Sequence, residues 1–314
     1  MIVAFLVADC PSAVSQVIRH TANLEARILL YSSRRRGICV DTSLPRTEAL
    51  SHCNTMHLVK LFKRHLWRVL MERMHLDYRL RSGIQIVVRS YADWCTYNDL
   101  FVNGEYREAI DETVRGWEPA EDRQPMCVLD LGANMGYFTL QLSDVFLQKC
   151  PTGKLAVCLV EASPKVATEL KRRLVVPSDR IKPTILNGLA GKQEGTARLN
   201  LGKEDTENFV SEESALSGRN KYRGAEMLPY VDLIAATVDM PVIHLIKCDI
   251  EGSEFSLIES YPDLLKKARR IVIEFHSQYG DFARATEKLK GMGFAKVLAL
   301  RESLETPTIY FSKD

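Results

Sequence analysis

The sequence predicts an α/β protein with a mostly parallel sheet of seven strands that ends in an antiparallel hairpin. From residue 126 onward, short apolar runs alternate with stretches whose apolar residues recur at helical spacing. This alternation is typical of a parallel sheet with helices on both faces. The last two runs, FAKVLAL and PTIYFSKD, are joined only by RESLETP. Parallel neighbours need a crossover of about a dozen residues or more, so the final strand is expected to run antiparallel.

The predicted elements follow one another in a regular order along the chain. The strands lie in MCVLDL, LAVCLVEA, RIKPTILNG, VIHLIKCDI, RRIVIEFH, FAKVLAL and PTIYFSKD. The helices lie in GYFTLQLSDVFLQKC, SPKVATELKRRLVV, SEFSLIESYPDLLKKA and FARATEKLKGMG. Ser163 and Pro164 suit the N-cap and first turn of the second helix. Residues 190–240 break the alternation with a polar stretch, and we expect an insertion there, since long insertions are usually functional or disordered.

Residues 1–83 are predicted to form an N-terminal extension, mixed and partly helical, before a domain at 84–314. The apolar start MIVAFLVADC is short, has no basic region before it and contains Asp9. We interpret it as a first strand or core segment, not as a signal peptide. At 55–80, apolar residues recur at helical spacing with Lys and Arg between them. A helix that covers a core fits this pattern, and a membrane-surface helix is the alternative. IQIVVRS at 84–90 predicts a strand.

Cysteine usage is typical of a cytoplasmic protein. None of the eight cysteines lies in a CxxC pair, so we expect reduced core cysteines. The net charge of the chain is +2. No run approaches the ~20 apolar residues that span a bilayer. Residues 1–90 hold 14 Lys and Arg against 6 Asp and Glu. Solvated helix faces explain this excess, and an acidic partner is the alternative.

A buried strand that runs into a glycine-hinged turn and a helix, VLDLGANMGYFTL at 128–140, marks the first candidate site. Ligands of open α/β sheets bind outside the carboxyl ends of the strands, where the strand order reverses. GANMG lacks the middle glycine of the dinucleotide fingerprint GxGxxG, and the Asp130 carboxylate would repel a pyrophosphate. S-adenosylmethionine carries a sulfonium and an α-amino group but no phosphate, and it fits better. The candidate cofactor residues here are Asp130, Gly132, Ala133, Asn134, Gly136, Tyr137 and Phe138.

The next two strand ends supply further candidate cofactor residues. Glu161 closes the second strand, where an acidic side chain accepts hydrogen bonds from ribose hydroxyls, and Ala162 follows it. After the third strand, Asn187, Gly188 and Leu189 stand where an adenine would need contacts. Parallel units followed by an antiparallel terminal hairpin are the pattern of a class I methyltransferase with a Rossmann-like sheet, not of a nicotinamide dehydrogenase.

These motifs resemble those of the FkbM family of S-adenosylmethionine-dependent methyltransferases. The resemblance covers about residues 84–314 and rests on CVLDLGANMGYFTL, VEASP, LNGLAG, HLIKCDIEGSEFSLIESYPDLL and RRIVIEFH. The family usually has Glu-Pro at the second strand, whereas here Glu161 is followed by Ala-Ser-Pro, so the ribose-binding glutamate is kept. The resemblance implies methyl transfer, most often to a hydroxyl of a sugar or natural product.

Candidate catalytic residues stand at the ends of the fourth and fifth strands. LIKCDIEGSE offers Lys247 and Asp249, and IEFHSQYG offers Glu274 and His276. Because residues alternate across a strand, each pair is expected to share one face. A hydroxyl acceptor has a high pKa and benefits from a base. We therefore expect Asp249, also a candidate cofactor residue, and His276 to orient and deprotonate the acceptor. Glu254 is interpreted as facing solvent or capping a helix.

The expected cofactor is S-adenosylmethionine, and we expect no dedicated metal site. A divalent metal stays open as an alternative, because Asp249, Glu251, Glu274 and His276 include the oxygen donors that such ions prefer. The expected partner is a hydroxylated small molecule, with no nucleic acid and no membrane span. A homo-oligomer is compatible with the sequence.

Three other functions are alternatives to methyl transfer onto a hydroxyl. They are carboxyl or N-methylation of a small molecule, a nicotinamide oxidoreductase, and a non-catalytic methyltransferase-fold protein whose basic N-terminal third binds an acidic partner. Residues 190–240 and 84–117 are expected to shape the acceptor pocket. The aromatic residues of the second segment are Trp94, Tyr97, Tyr106 and Trp117.

Overall fold

The computed structural model describes residues 75–118, 124–201, 209–211 and 224–313. The interpretations of the apolar start and of most of the basic helix at 55–80 fall outside these ranges, as does the middle of the predicted insertion. Within the ranges, no helix combines the length and the apolar character needed to cross a bilayer.

Twelve strands form three sheets in the described ranges. They are β1 (Leu76–Arg79), β2 (Gln85–Val88), β3 (Met126–Leu131), β4 (Leu155–Glu161), β5 (Ile181–Asn187), β6 (Thr196–Leu201), β7 (Phe209–Ser211), β8 (Gly224–Pro229), β9 (Leu245–Cys248), β10 (Arg270–Glu274), β11 (Lys296–Arg301) and β12 (Thr308–Ser312). The central sheet has seven strands in the order β11-β12-β10-β9-β3-β4-β5. The predicted α/β fold is confirmed.

The strand order reverses between β3 and β9, which are parallel neighbours. From β3 the sheet grows through β4 to β5 in one direction, and from β9 it grows to β10 in the other. β12 runs antiparallel to both β10 and β11, which confirms the predicted terminal hairpin. A ligand crevice is expected outside the carboxyl ends of β3 and β9, where this reversal occurs.

Both faces of the sheet are buried at β3, β4 and β9, which is why these strands are apolar on both sides. Along β3, Val128 belongs to one apolar cluster and Leu129 to the other. The same alternation places Leu245 and Ile246 of β9 on opposite faces. Burial of every residue of β3 fixes this strand rigidly beneath the turn that follows it.

Eight α-helices surround the sheets in the described part of the chain. They are α1 (Tyr91–Tyr97), α2 (Arg107–Arg115), α3 (Tyr137–Lys149), α4 (Pro164–Arg173), α5 (Leu233–Ala236), α6 (Glu254–Ser260), α7 (Pro262–Lys267) and α8 (Phe282–Gly291). α1 continues into a π-helical turn, Asn98–Asn103. The Ser163 hydroxyl caps α4 by accepting a hydrogen bond from the Val166 N–H, with Pro164 at the first position, as predicted.

Two small antiparallel sheets accompany the central one. β1 and β2 form a hairpin that begins at Leu76, and the predicted strand at 84–90 is its second arm. The predicted insertion supplies β6, β7 and β8, with β6 in the middle. Leu189 pairs with Tyr230 in an isolated bridge, which fixes this small sheet beside the end of β5.

Candidate active site

The turn between β3 and α3 is shaped by three residues with positive φ. Gly132, Asn134 and Gly136 have φ angles of +73°, +49° and +80°. The N–H groups of Gly132 and Ala133 both donate to the Val160 carbonyl at 3.0 Å. A Cβ on Gly132 would lie 1.7 Å from the Asp249 carbonyl oxygen. Glycine is therefore required here because the β9–α6 loop packs directly on the turn.

Lys247 lies buried beneath this turn and holds it in place. Its Nζ donates to the carbonyls of Gly132 at 2.7 Å and Leu131 at 3.3 Å. It also lies 3.7 Å from Asp130 Oδ1 and 3.6 Å from Asp249 Oδ2. Burial lowers the pKa of Lys247, but the Asp249 and Asp130 carboxylates outweigh burial, so its net pKa is raised. We therefore expect a permanently charged lysine that positions the turn.

Asp130 is fully buried and does not reach the cavity wall. Its Oδ2 accepts a hydrogen bond from the Thr139 hydroxyl at 2.8 Å. Burial raises the pKa of Asp130, and the nearby Lys247 ammonium opposes this effect. The sequence placed Asp130 among the cofactor residues, and in this geometry its side chain contacts Thr139 and Lys247 instead of lining the cavity.

Replacement of Lys247 by methionine is expected to destabilise the protein by about 3 kcal/mol, because a buried carboxylate loses its counter-charge. The affected groups are Asp130 and the two backbone carbonyls that Lys247 now satisfies. Urea denaturation monitored by circular dichroism measures the change. The control is Lys266→Met, which removes an exposed ion pair with Asp263 and should cost less than ~1 kcal/mol. Equal losses in the two variants would contradict the role given to Lys247.

Glu161 at the end of β4 joins two backbone segments. Its Oε2 accepts from the Asn134 N–H at 2.9 Å, and its Oε1 accepts from the Ser163 N–H at 2.8 Å. Burial raises the pKa of Glu161, and these two N–H groups oppose the shift. Asn187 donates to the carbonyls of Glu161 and Ala162, both at 2.9 Å, so it links strand ends.

A cavity opens at the carboxyl ends of β3, β4, β9 and β10, where the strand order predicts a ligand crevice. Ten of the predicted cofactor residues line it, and they are Gly132, Ala133, Asn134, Tyr137, Phe138, Glu161, Ala162, Gly188, Leu189 and Asp249. Asp130, Gly136 and Asn187 do not line it. Of the predicted catalytic residues, Lys247, Asp249 and Glu274 line the wall and His276 does not.

The part of the cavity wall that includes Asp249, Glu274 and Glu105 is rich in carboxylates. Glu274 pairs with Arg301, whose Nη1 also lies 3.1 Å from Glu105 Oε1. The Glu105 Oε1 atom accepts a hydrogen bond from the Thr308 hydroxyl at 2.6 Å. Burial and the neighbouring Asp249 charge raise the pKa of Glu274 to about 8, although Arg301 opposes this shift.

His276 lies just behind this part of the cavity wall and is hydrogen-bonded at both ring nitrogens. Its Nδ1 lies 2.9 Å from Glu254 Oε1, and its Nε2 lies 3.2 Å from Glu251 Oε2. Burial lowers the pKa of His276, but the two carboxylates outweigh burial and raise it to about 11. The ring therefore links the β9–α6 loop to the end of β10.

Glu254 was interpreted as a solvent-facing or capping residue, and the solvent-facing alternative is wrong. Its side chain is fully buried, and Oε1 accepts from the N–H groups of Ile250 at 3.2 Å and Gly252 at 3.0 Å. Glu251, just before Gly252, has an unusual φ of +52°. Glu254 therefore holds the tight loop that presents Asp249.

The sequence reasoning missed several residues of the cavity wall. Thr96, Asp99, Leu100 and Glu105 come from the α1 segment and the turn after it, and Arg301 comes from β11. The predicted contribution of the segment at 84–117 pointed to the right region, but among its four aromatic residues only Tyr106 lines the wall. Trp117 instead packs on Phe146 in the core. No local motif distinguishes Glu105 or Arg301, because their pairing depends on the fold.

The sheet order and the cavity at the β3–β9 edge define a class I methyltransferase fold. The sequence model described as "Methyltransferase FkbM domain" matches residues 130–296, more than half of the chain. The chain belongs to the FkbM methyltransferase family, as the resemblance indicated. A search of curated protein sequences gives no significant match.

Solved structures similar to this chain are distant in sequence. Magnesium protoporphyrin IX methyltransferase (ChlM) from Synechocystis PCC 6803, with bound SAM, is 13% identical with a TM-score of 0.37, covering 88% of this chain and 100% of that chain. The METTL16 methyltransferase domain is 11% identical with a TM-score of 0.38, covering 67% and 66%. Aeropyrum pernix fibrillarin, with bound S-adenosyl-L-methionine, is 12% identical with a TM-score of 0.33, covering 60% and 66%. This chain thus spans slightly less than two thirds of the METTL16 and fibrillarin chains.

Proposed function

We propose that this protein is an S-adenosylmethionine-dependent methyltransferase that methylates a hydroxyl of a sugar or small natural product. One observation carries the proposal. The wall of a single cavity combines one part, formed by the glycine-hinged β3–α3 turn and Glu161, with another part that includes Asp249 and Glu274. In this proposal the cofactor and the acceptor hydroxyl share that cavity.

The residues of the first part of the wall fit S-adenosylmethionine. The positive φ of Gly132 brings the backbone of the turn to the cavity without a side chain in the way. Glu161 is the acidic residue that ribose hydroxyls need, and Gly188 and Leu189 follow β5 at the position proposed for adenine. The carboxylates also suit a ligand with an ammonium and a sulfonium group. When bound, this cofactor would supply an electrophilic methyl group.

The second part of the wall would orient the acceptor. Methyl transfer is an in-line displacement, so alignment and exclusion of water contribute much of the rate. Asp249 accepts the hydrogen bond of the acceptor hydroxyl and takes its proton as the oxygen is methylated, with Glu274 beside it on the same wall. Lys247 and His276, both buried, keep the Asp249 loop and the cofactor turn in place. His276 thus acts as a positioning residue in this proposal.

Calorimetry with S-adenosylhomocysteine and with NADH tests the cofactor part of the proposal. We expect micromolar binding of S-adenosylhomocysteine and no binding of NADH, because GANMG offers no pyrophosphate site. Transfer of labelled methyl groups to a panel of sugars and hydroxylated natural products, with matched amines and carboxylic acids, then tests the acceptor. Binding of neither ligand would favour a non-catalytic protein, and labelling of amines alone would replace the hydroxyl acceptor.

A further inference from the structure

Three potential metal ligands converge beside the cavity, two of them on its wall and His276 behind it. Asp249 follows β9, and Glu274 and His276 stand at and after the end of β10. One ligand atom from each residue, two carboxylate oxygens and an imidazole nitrogen, lies within 4.8 Å of the others. Divalent cations bind such donors at about 2.0–2.6 Å, so inward movement of each side chain by about 1 Å would allow direct coordination.

The imidazole of His276 is held in the way that metal-bound histidines usually are. A histidine ligand commonly donates its second ring N–H to a carboxylate, which fixes the ring and makes the other nitrogen a better ligand. Here Nδ1 contacts the fully buried Glu254 at 2.9 Å. The Oε2 atom of Glu254 has no hydrogen-bond partner among the described residues. The Nε2 atom lies on the other side of the ring, 3.2 Å from Glu251.

The side chains around these ligands carry an excess of negative charge, which favours binding of an additional cation. The carboxylates of this part of the wall are Asp99, Glu105, Asp249, Glu251 and Glu274. The cations of the wall are Lys247 and Arg301. Lys247 is shared between Asp249 and the buried Asp130, and Arg301 is shared between Glu105 and Glu274. Five carboxylates therefore face two shared cations, and His276 adds at most one further charge.

We propose that Asp249, Glu274 and His276 bind one divalent cation. The mixed oxygen and nitrogen donors suit Mn²⁺ and similar ions better than Ca²⁺, which prefers oxygen alone. Glu251 Oε2, 3.2 Å from Nε2, is a further carboxylate oxygen beside the imidazole. On binding, the cation takes the place of the proton between Nε2 and Glu251, and the imidazole becomes a neutral ligand.

The role of this cation rests on the proposed methyl transfer, whereas its binding does not. A cation held by these ligands would contact the acceptor oxygen and lower the pKa of the hydroxyl. The proton then passes more readily to the Asp249 oxygen that does not coordinate the ion. The rate of methyl transfer would increase most for an acceptor with two neighbouring oxygen atoms, since both can reach one ion.

Electron paramagnetic resonance of Mn²⁺ tests the site directly, because bound Mn²⁺ loses the sharp signal of the free ion. The purified full chain, without cofactor or acceptor, is titrated with MnCl₂. We expect one Mn²⁺ per chain, and we expect Asp249→Asn and Glu274→Gln each to weaken its affinity at least ~10-fold, as loss of one ligand does. The matched control is Asp99→Asn, which removes a carboxylate from the same wall outside the three ligands. It should change the affinity less than ~3-fold, because a wall carboxylate that does not coordinate the ion acts only through its solvent-screened charge.

Each outcome decides the proposal. Absence of Mn²⁺ binding by the wild-type chain would overturn it, and so would equal weakening by all three variants, which indicates attraction by the general negative field. A variant counts only if its thermal unfolding midpoint lies within a few degrees of the wild-type midpoint. Glu274→Asp, which keeps the carboxylate, is a second and milder change at the same position. Mn²⁺ binding without methyl transfer would retain the site and remove the proposed function. Methyl transfer in excess EDTA, together with no Mn²⁺ binding, would retain the proposed function and remove the metal site.

Discussion

Valine at position 132 is expected to abolish binding of S-adenosylhomocysteine. Gly132 has a φ of +73°, which costs an L-residue about 1–2 kcal/mol. The added Cβ would also lie 1.7 Å from the Asp249 carbonyl oxygen, so the turn or the β9–α6 loop has to move. We expect at least ~100-fold weaker binding, equivalent to roughly 3 kcal/mol, measured by calorimetry.

The matched control for this change is Gly195→Val. Gly195 also has a positive φ, +98°, but a Cβ there meets no atom within 4 Å. It therefore carries the backbone strain without the overlap and should retain cofactor binding. Thermal unfolding of both variants separates loss of the site from loss of the fold. Normal affinity in the Gly132 variant would remove the turn from the cofactor site.

Asparagine at position 249 is expected to lower turnover by about 10²–10⁴-fold, the usual contribution of a proton acceptor. The amide keeps the size of the carboxylate but cannot take the proton of the acceptor hydroxyl. Affinity for S-adenosylhomocysteine should fall by less than ~10-fold, because the loop is held by Glu254 and by packing of the Asp249 backbone on Gly132. Initial rates with labelled cofactor, and calorimetry in parallel, measure the two effects.

Asp263→Asn is the control for the loss of one negative charge. Asp263 is exposed on α7 and pairs only with Lys266 in the described structure. Its replacement should leave turnover within ~2-fold, since exposed ion pairs contribute little. If Asp249→Asn weakens cofactor binding as much as it lowers turnover, Asp249 belongs to the cofactor site and another group accepts the proton.

Local sequence patterns were sufficient to predict the central sheet. β3, β4 and β9 are short apolar runs because both faces of the sheet are covered, and the short RESLETP connection permits only an antiparallel final strand. The glycine-hinged turn between β3 and α3 was also predictable, because positive φ at Gly132 and Gly136 calls for glycine. These features depend on neighbouring residues, and a single sequence contains that information.

The part of the wall proposed to orient the acceptor was less predictable, because it depends on residues that are distant in the chain. Arg301 is positioned by the pairing of β11 with β12 and of β12 with β10, and it then meets Glu105 from the turn before α2. Neither residue has a sequence signature. Asp130 and His276 were recognised as strand-end residues, yet the sequence does not reveal which side chains reach the cavity. The insertion could be predicted as a polar segment, but its sheet could not, because the pairing of β6 with β8 joins segments on either side of a polar stretch.

The position of β12 has a consequence for synthesis on the ribosome. β12 lies between β10 and β11, so a strand that is made after both of its neighbours occupies an inner place in the sheet. Until residues 308–312 have left the exit tunnel, β10 keeps an unpaired edge and β11 has no neighbour. Non-local pairing of this kind forms late and leaves nascent strands exposed to aggregation. A ribosome that stalls before this strand would therefore release a chain with an open, aggregation-prone sheet and no Thr308 to support Glu105.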